Sequence, residues 1–599
     1  MEYLKQILTQ FALYCLVSVW KLKARFGYLN VVKDGIIYPK KEVRETPKTD
    51  FQGNMGQALL KRMKTNVEVN GDFECFINGP YTLKGTTQTC GDKSITMSRV
   101  IETAEAFGSA LYIAGCGPGD VVHFAIPNCT EYHALTVGVW MCNGVCSLGD
   151  PGLAMPMLKT QLEETNAKFV VCYQGSKLTL EQALKEINKD NIKVIVLDQD
   201  DPKDANNFVS FKDFIGKNLK NPEVEKFDEE DTAVIFWSSG TTGQPKGIQH
   251  SFKTLQYIIG NLENYVLGVF DKPTRRSNDI TTGVATTCFF HVGGFLSPFA
   301  NIFERHCLVF NHGPDLDNEN PCQVLFEEID AFKPLYMNCG SHHLVALSKE
   351  VLKPTEKPMD LSSPLLILPT GSTIPKTLFE DLKQNLPNIK AVFHGFAMTE
   401  IPAIIAYTMD SQFSLGGLGP SVQVKIVDPE TGKVCGQDEI GEFLVKSKVT
   451  MKGYLNCAEE NSEFFGNQDG FVHTGDLVSF NHLGNLIYEG RMKDLIKYKN
   501  QHIYPLEIES VIRKHPEVMD VGVFGRPEPT VQELVTALVV KQANSTLTEN
   551  EVISMVQEAL DDSRHLRGGV AFVDKLPKNP VGKTLRKKLP TLFNDLNNQ

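Results

Sequence analysis

Seven residues in one stretch have the types and spacing to bind a polyanion: Ser238, Ser239, Gly240, Thr241, Thr242, Gly243 and Lys246, within TAVIFWSSGTTGQPKGIQHS at 232–251. Glycines let backbone N–H groups turn inward, hydroxyls add donors, and the lysine brings a full positive charge. The ligand this chemistry fits is a nucleotide's phosphates. The order G-x-x-G-x-P-K-G is not the common P-loop, which needs Gly-Lys-Ser/Thr after four intervening residues. The plainer alternative is a Ser/Thr/Gly-rich connection between a strand and a helix; Pro245 and Lys246 at fixed offsets speak against it.

Further reactive types recur downstream. Phe289-Phe290-His291-Val292-Gly293-Gly294 carries His291, which alone reads as a core or helix-cap histidine and is kept as a candidate catalytic group. The apolar run 365–370 leads into Gly371-Ser372. In Gly395-Phe396-Ala397-Met398-Thr399-Glu400, a capping threonine and a glutamate at the positive end predict a helix start. That geometry presents both side chains to a nucleotide or a metal. His473-Thr474-Gly475-Asp476, then Tyr488-Glu489-Gly490-Arg491-Met492-Lys493-Asp494, place dense charge at a change of texture. Asn579-Pro580-Val581-Gly582-Lys583-Thr584 is a turn carrying an exposed lysine.

The elements that must hold these residues alternate. Residues 95–114 read as an amphipathic helix, 121–126 as a strand and 132–145 as an apolar helix. Strands at 168–173 and 193–198 flank a helix at 178–187. Such alternation predicts a parallel, layered α/β sheet. The 233–237 run is its next strand, and the glycine-rich loop falls at the carboxyl end, where open α/β sheets bind ligands. After residue 420 hairpins take over, at 422–428 and 439–448. Beyond 493, helices at 506–514 and 549–559 with strands at 518–524, 534–541 and 570–574 make a small α+β unit. The predicted fold is α/β: a large N-terminal domain of layered α/β sheets plus a β-rich subdomain over 56–490, with a small mobile α+β C-terminal domain over 493–599.

At 599 residues the chain exceeds one ordinary core. A net charge of -12 argues against nucleic acid as a partner, so an anionic ligand needs local basic clusters. The 14 cysteines are scattered without zinc-ligand spacing, which fits reduced thiols in a cytosolic setting. Residues 1–30 differ from the rest: an apolar run at 7–20 is followed by Lys21, Lys23 and Arg25. It is short for a membrane span, so 3–20 reads as a membrane anchor, an interfacial helix or a helix packed on the body. The basic flank would keep the body on the cytoplasmic side. No small-residue cleavage signal follows. Residues 31–55 read as a polar, proline-bearing linker.

In this order, SSGTTGQPKG, GFAMTE, HTGDL, YEGRMKDLIKYK and NPVGKT resemble the adenylate-forming (AMP-binding) superfamily over roughly residues 56–590. The branch is that of acyl-CoA synthetases, 4-coumarate–CoA ligases and firefly luciferase; HLRGGVAFVD at 565–574 is particularly similar to the last two. The resemblance implies a two-step reaction. A carboxylic-acid substrate attacks the α-phosphate of ATP, accompanied by Mg²⁺, expelling pyrophosphate and leaving an acyl-adenylate. The thiol of coenzyme A then displaces AMP. A carboxylate nearing a triphosphate meets like charge, so cations and N–H donors must offset it. By resemblance, the residues from Ser238 to Lys246 hold the β- and γ-phosphates, Thr399 the α-phosphate and Glu400 the Mg²⁺. Asp476 and Arg491 take the ribose, and Phe396 stacks on the adenine. Lys583 sits between the carboxylate and the α-phosphate. Lys493 is the hinge of a domain swing that presents Lys497 for the thioester step.

Departures from the family pattern are Phe396-Ala397 for tyrosine-glycine, Asn500 where glycine is usual, and Gly371-Ser372 for paired glycines, which narrows the acyl pocket. Phe289, Phe290, Val292 and 339–345 read as an apolar acyl lining, for a medium- or long-chain fatty acid first and an aryl-propenoic acid second. One alternative is a luciferase-like monooxygenase; the ending Asn597-Asn598-Gln599 is not the Ser-Lys-Leu peroxisomal address. The other is a nucleotide-binding pseudoenzyme, suggested by Ala397 and Asn500 and opposed by Lys246, Glu400, Asp476, Arg491 and Lys583.

Overall fold

A computed structural model describes residues 31–33, 35–38, 53–79, 91–188, 191–198, 207–216, 220–224, 227–238, 245–262, 280–299, 305–311, 321–340, 343–344, 347–348, 359–370, 378–408, 414–419, 422–466, 469–482, 484–499, 501–542, 544–578 and 584–597. The candidate anchor at 3–20, the loop residues Ser239 to Gly243, Gly371, Asn500 and Lys583 lie outside the described residues. Among the described residues no helix is long and apolar enough to cross a membrane.

The described residues form four sheets. In the first, the strands Thr232–Ser238, Val145–Leu148, Val121–Ala125, Phe169–Cys172, Lys193–Val196 and Phe208–Ser210 run parallel. They are near-continuous Val, Ile, Phe and Cys because helices cover both faces. The second sheet is also mainly parallel, with Leu366–Thr370, Tyr336–Gly340, Thr281–Ala285, His306–Phe310 and Glu74–Asn78 as neighbours. One core joins the two sheets. At its centre His133 stacks on Phe76 and Phe295 and meets Phe289 and Phe299 edge-on. Burial holds this imidazole neutral, its pKa lowered to about 4. Trp140 beside it donates its indole N–H to Ala233 O (3.0 Å), tying the helix Tyr132–Met141 to the strand that leads into the glycine-rich loop.

The third sheet is antiparallel and nine-stranded, holding His394–Met398, Ile401–Thr408, Val472–Phe480 and Leu486–Arg491. A fourth, smaller sheet with the helices Pro505–Ile512, Glu549–Ala559 and Leu589–Asn597 makes the predicted α+β unit.

Three readings of the sequence change. The helix expected over 132–145 ends at Met141; Asn143 turns left-handed (φ 53°) and Val145 opens a central strand. The run is buried throughout, so its periodicity carries no boundary. The expected linker at 31–55 begins as a hairpin, Val31–Lys33 with Ile36–Tyr38, that joins the third sheet through Ile37 and Val424. Thr399-Glu400 does not start a helix: it is the turn between two antiparallel strands, with Met398 paired to Ile401.

Candidate nucleotide and acid site

The strand Thr232–Ser238 buries Ala233 to Trp237 and ends at the loop. Its end is fixed from below: Trp237 Nε1 donates to Ser147 Oγ (3.0 Å), which bonds His123 Nδ1 (2.9 Å). His123 is fully enclosed, and burial lowers its pKa to about 3, so it stays neutral. Across the loop the chain returns as a strand, Lys246–Ser251, with Ser238 paired to Lys246. The loop therefore joins two antiparallel strands and not a strand to a helix. Space at Gly247 is tight, since a Cβ there would lie 3.2 Å from both Ile235 Cγ2 and Leu455 Cβ.

Lys246 points at charge. Its Nζ is 2.9 Å from Glu460 Oε1 and lies 5.4 Å over the Tyr454 ring. Tyr454 donates its hydroxyl to Glu400 Oε1 (2.8 Å), so the two halves of the motif set meet through this tyrosine. Burial first, then Glu400, raises the Tyr454 pKa and keeps it a donor. The Thr399-Glu400 turn is pinned twice: His250 Nε2 donates to Thr399 O (2.8 Å), and Met451 N–H to Glu400 O (2.8 Å). His250 is neutral, lowered to about 4 by burial. Neither Tyr454 nor Glu460 was singled out from sequence.

Asp476 follows Gly475, whose φ of 68° only glycine adopts freely. Its carboxylate is buried and accepts from Arg491 Nε (3.1 Å) and the Tyr488 hydroxyl (3.0 Å). Burial disfavours the Arg491 cation, but Asp476, Tyr488, Glu400 and Asp494 together raise its pKa. Phe396 is half-buried beside this pair, 5.9 Å from the Tyr488 ring and 5.6 Å from Phe443. Its ring thus packs beside the tyrosine whose hydroxyl bonds the carboxylate that the resemblance gives to the ribose. Tyr488 is the third residue missed; its signal was only its place beside Arg491 on one strand.

Lys493 lies in a single 3-10 turn, Met492–Asp494, and its charge helps lower the Glu460 pKa, mostly set by Lys246. Arg586 ties Asp494 (Nε to Oδ2, 3.3 Å) and Glu509 together across the start of the small domain. Lys497 stands apart on the small sheet: it is exposed, with its backbone N–H on Glu533 Oε2 (2.7 Å). No hydrogen bond or ion pair among the described residues links His291 to Lys246, Tyr454, Glu400 or Glu460. His291 occupies the N-cap of the helix Val292–Leu296 without capping it through its side chain. Its Nε2 is buried without a partner, and burial lowers its pKa to about 4.

No three His, Cys, Asp or Glu side chains gather as a metal cluster among the described residues. A single carboxylate such as Glu400 is the kind of ligand Mg²⁺ takes, since the ion is commonly held by one or two carboxylates together with substrate phosphates and water.

The AMP-binding enzyme family matches residues 64–455, and the AMP-binding enzyme C-terminal domain matches 507–583. A probable CoA ligase of Humulus lupulus is 26% identical, covering 83% of this chain and 88% of its own. A luciferin 4-monooxygenase of Photuris pensylvanica is 31% identical over 65% of this chain and 69% of its own. A probable 4-coumarate–CoA ligase of Dictyostelium discoideum is 29% identical over 82% and 89%. Among solved structures, an anthranilate CoA ligase with anthranoyl-AMP superposes with a TM-score of 0.74 at 21% identity, covering 89% of this chain and 96% of that one. ATP-bound MatB from Rhodopseudomonas palustris gives 0.74 at 21% identity, over 90% and 99%. At that identity the superpositions show a shared fold. The chain belongs to the AMP-binding enzyme family of the adenylate-forming superfamily, and it is an enzyme of the AMP-forming acid–thiol ligase type.

Proposed function

We propose that the protein activates a carboxylic acid with ATP to an acyl-adenylate and transfers the acyl group to coenzyme A. The observation that carries this is the gathering of two linked groups, Glu460–Lys246–Tyr454–Glu400 and Arg491–Asp476, drawn from widely separated parts of the chain, with the Glu400 charge acting on Arg491. Such a gathering offers cations and carboxylates for a nucleotide's phosphate, metal and sugar. Lys246 and the hydroxyls before it hold the β- and γ-phosphates, and Thr399 the α-phosphate. Asp476 accepts from both ribose hydroxyls, and Phe396 covers the adenine. Glu400 holds Mg²⁺, which when bound offsets the triphosphate's charge. Lys583 approaches the reacting carboxylate and withdraws when the domain turns at Lys493, exposing the Lys497 face for the thiol. The acid is of fatty or aryl-propenoic type.

The test is pyrophosphate exchange into ATP with a panel of carboxylic acids, followed by thioester formation when coenzyme A is added. Lys583→Ala should abolish adenylation and largely spare thioester formation from a supplied acyl-adenylate. Equal loss of both steps would overturn the role of Lys583. No exchange with any acid would favour a nucleotide-binding pseudoenzyme. Oxygen-dependent light from the adenylate, without thioester, would favour the luciferase-like reading that the 31% relative supports.

A further inference from the structure

The turn that carries Thr399 and Glu400 is held at three points, all of them from the strand Lys246–Ser251 and the segment beside it. His250 Nε2 donates to Thr399 O (2.8 Å). Met451 N–H donates to Glu400 O (2.8 Å), and the Tyr454 hydroxyl donates to Glu400 Oε1 (2.8 Å). Met451 and Tyr454 belong to the stretch laid along the strand's edge, where Lys452 N–H donates to Gln249 O (2.8 Å) and Tyr454 pairs with Ile248. The histidine alone comes from the strand itself. Because side chains alternate along a strand, Lys246, Ile248 and His250 share one face, with the lysine about 13 Å from the histidine along the backbone. One rigid element therefore carries the lysine assigned to the β- and γ-phosphates and the group that fixes the turn assigned to the α-phosphate.

The chemistry of the histidine points to that contact. The ring is fully buried, edge-on to Phe236 at 5.9 Å, and burial keeps it neutral, so it holds a single N–H. That proton sits on Nε2, because a carbonyl can only accept. Nδ1 is left as a bare acceptor and is buried without a partner. Leucine or phenylalanine would fill the same apolar space and strand no nitrogen. What the imidazole adds is the donor to Thr399.

Fixing that carbonyl also fixes a second group. The peptide between Thr399 and Glu400 is planar and trans, so its N–H points opposite to its C=O. With the oxygen turned onto His250, the Glu400 N–H is aimed away from the strand, and among the described residues no group accepts from it. We propose that His250 is a positioning residue for adenylation: it holds the Thr399–Glu400 peptide so that the Glu400 N–H and the Thr399 hydroxyl meet the α-phosphate. This rests on the α-phosphate role given to Thr399 above.

AMP and adenosine differ only in that phosphate, so calorimetric titration of the full chain with each reads the contact directly. His250→Phe and His250→Leu remove the donor; His250→Gln keeps one. The two apolar variants should bind adenosine as the unmodified chain does and lose about fivefold of the preference for AMP, the scale of one neutral hydrogen bond. His250→Gln should retain that preference. A ring that only fills space would change both affinities alike or neither. An unchanged ratio of AMP to adenosine affinity in the apolar variants, or an equal loss in His250→Gln, would overturn the inference. Should the apolar variants fail to fold, nitrogen NMR of the unmodified ring decides: its Nε2–H signal should move on adding AMP and stay still with adenosine, and no response to AMP would overturn it too. A lost AMP preference in a chain that activates no acid would support the positioning role and sink the ligase reading. Acid activation with an unchanged ratio would do the reverse.

Discussion

The two ends of the site store their polarity differently. At the nucleotide end the charged groups are already spent on one another: Lys246 on Glu460, Arg491 on Asp476, and Glu400 on the Tyr454 hydroxyl. At the carboxyl ends of the second sheet's strands, Thr287 Oγ1, His291 Nε2 and Asn338 Oδ1 are buried without a partner, and burial keeps the imidazole neutral. The difference follows from cost. A buried carboxylate left without a partner is several kcal/mol uphill, so Asp476, with 2% of its side chain exposed, is held against Arg491. A neutral polar atom costs less and can wait for a ligand. Nucleotide binding is then an exchange of partners.

The comparison breaks most visibly at Asp476. Asp476→Ala removes the acceptor of both Arg491 and Tyr488 and leaves the cation half-enclosed, with 32% of its side chain still meeting water. That exposure puts the expected loss at about 3 kcal/mol of unfolding free energy, the lower end for a broken buried pair. Urea unfolding measures it, and ATP titration should show weakened binding in the same variant. A loss below about 1 kcal/mol would mean that Arg491 is not held by this carboxylate.

Acid should test the neutral groups. His133, His250 and His291 have their folded pKa lowered to about 4, and His123 to about 3, against about 6.5 in the unfolded chain. Between these values the unfolded chain binds more protons, so stability falls as pH drops from about 6.5 toward 4. Each histidine contributes up to about 2 kcal/mol between pH 6.5 and 5. Urea midpoints at the two pH values measure the sum, and His133→Phe, set among Phe76, Phe295 and Phe299, should shrink the difference. A midpoint that does not fall toward pH 5 would show these rings to be charged or hydrated.

What the sequence made legible was local. The glycine-rich loop follows a strand because 233–237 is a buried apolar run, and Lys246, Asp476 and Arg491 were named by their motifs. Their pairing was hidden, because Asp476 meets Arg491 only across a hairpin whose register shifts at Leu477 and Val478. Thr399-Glu400 satisfied a capping rule that is equally at home in a turn between strands; only the pairing of Met398 with Ile401 decides between them. Tyr454 and Glu460 carry no motif that points to Lys246, and they reach it because Gly453–Tyr454 adds to the edge of the Lys246–Ser251 strand. Phe289 is apolar in either role, and packing alone removed it from the acid site.

The smallest effect sharpens the idea of exchanged partners. Glu460 sits in the first turn of the helix Ala458–Phe465, and Lys246 is the leading cause of its lowered pKa. Phosphates must take Lys246 from this carboxylate, so Glu460→Gln should raise affinity for ATP and for pyrophosphate. An exposed pair is weak and salt-screened, so the gain should be about two- to fivefold at low ionic strength and fade toward none near 1 M salt. Calorimetric titration with each ligand at two salt concentrations measures it. A fall in affinity would show that Glu460 holds Lys246 where the phosphates need it. The pair would then be part of the binding geometry, holding the lysine in place before its ligand arrives.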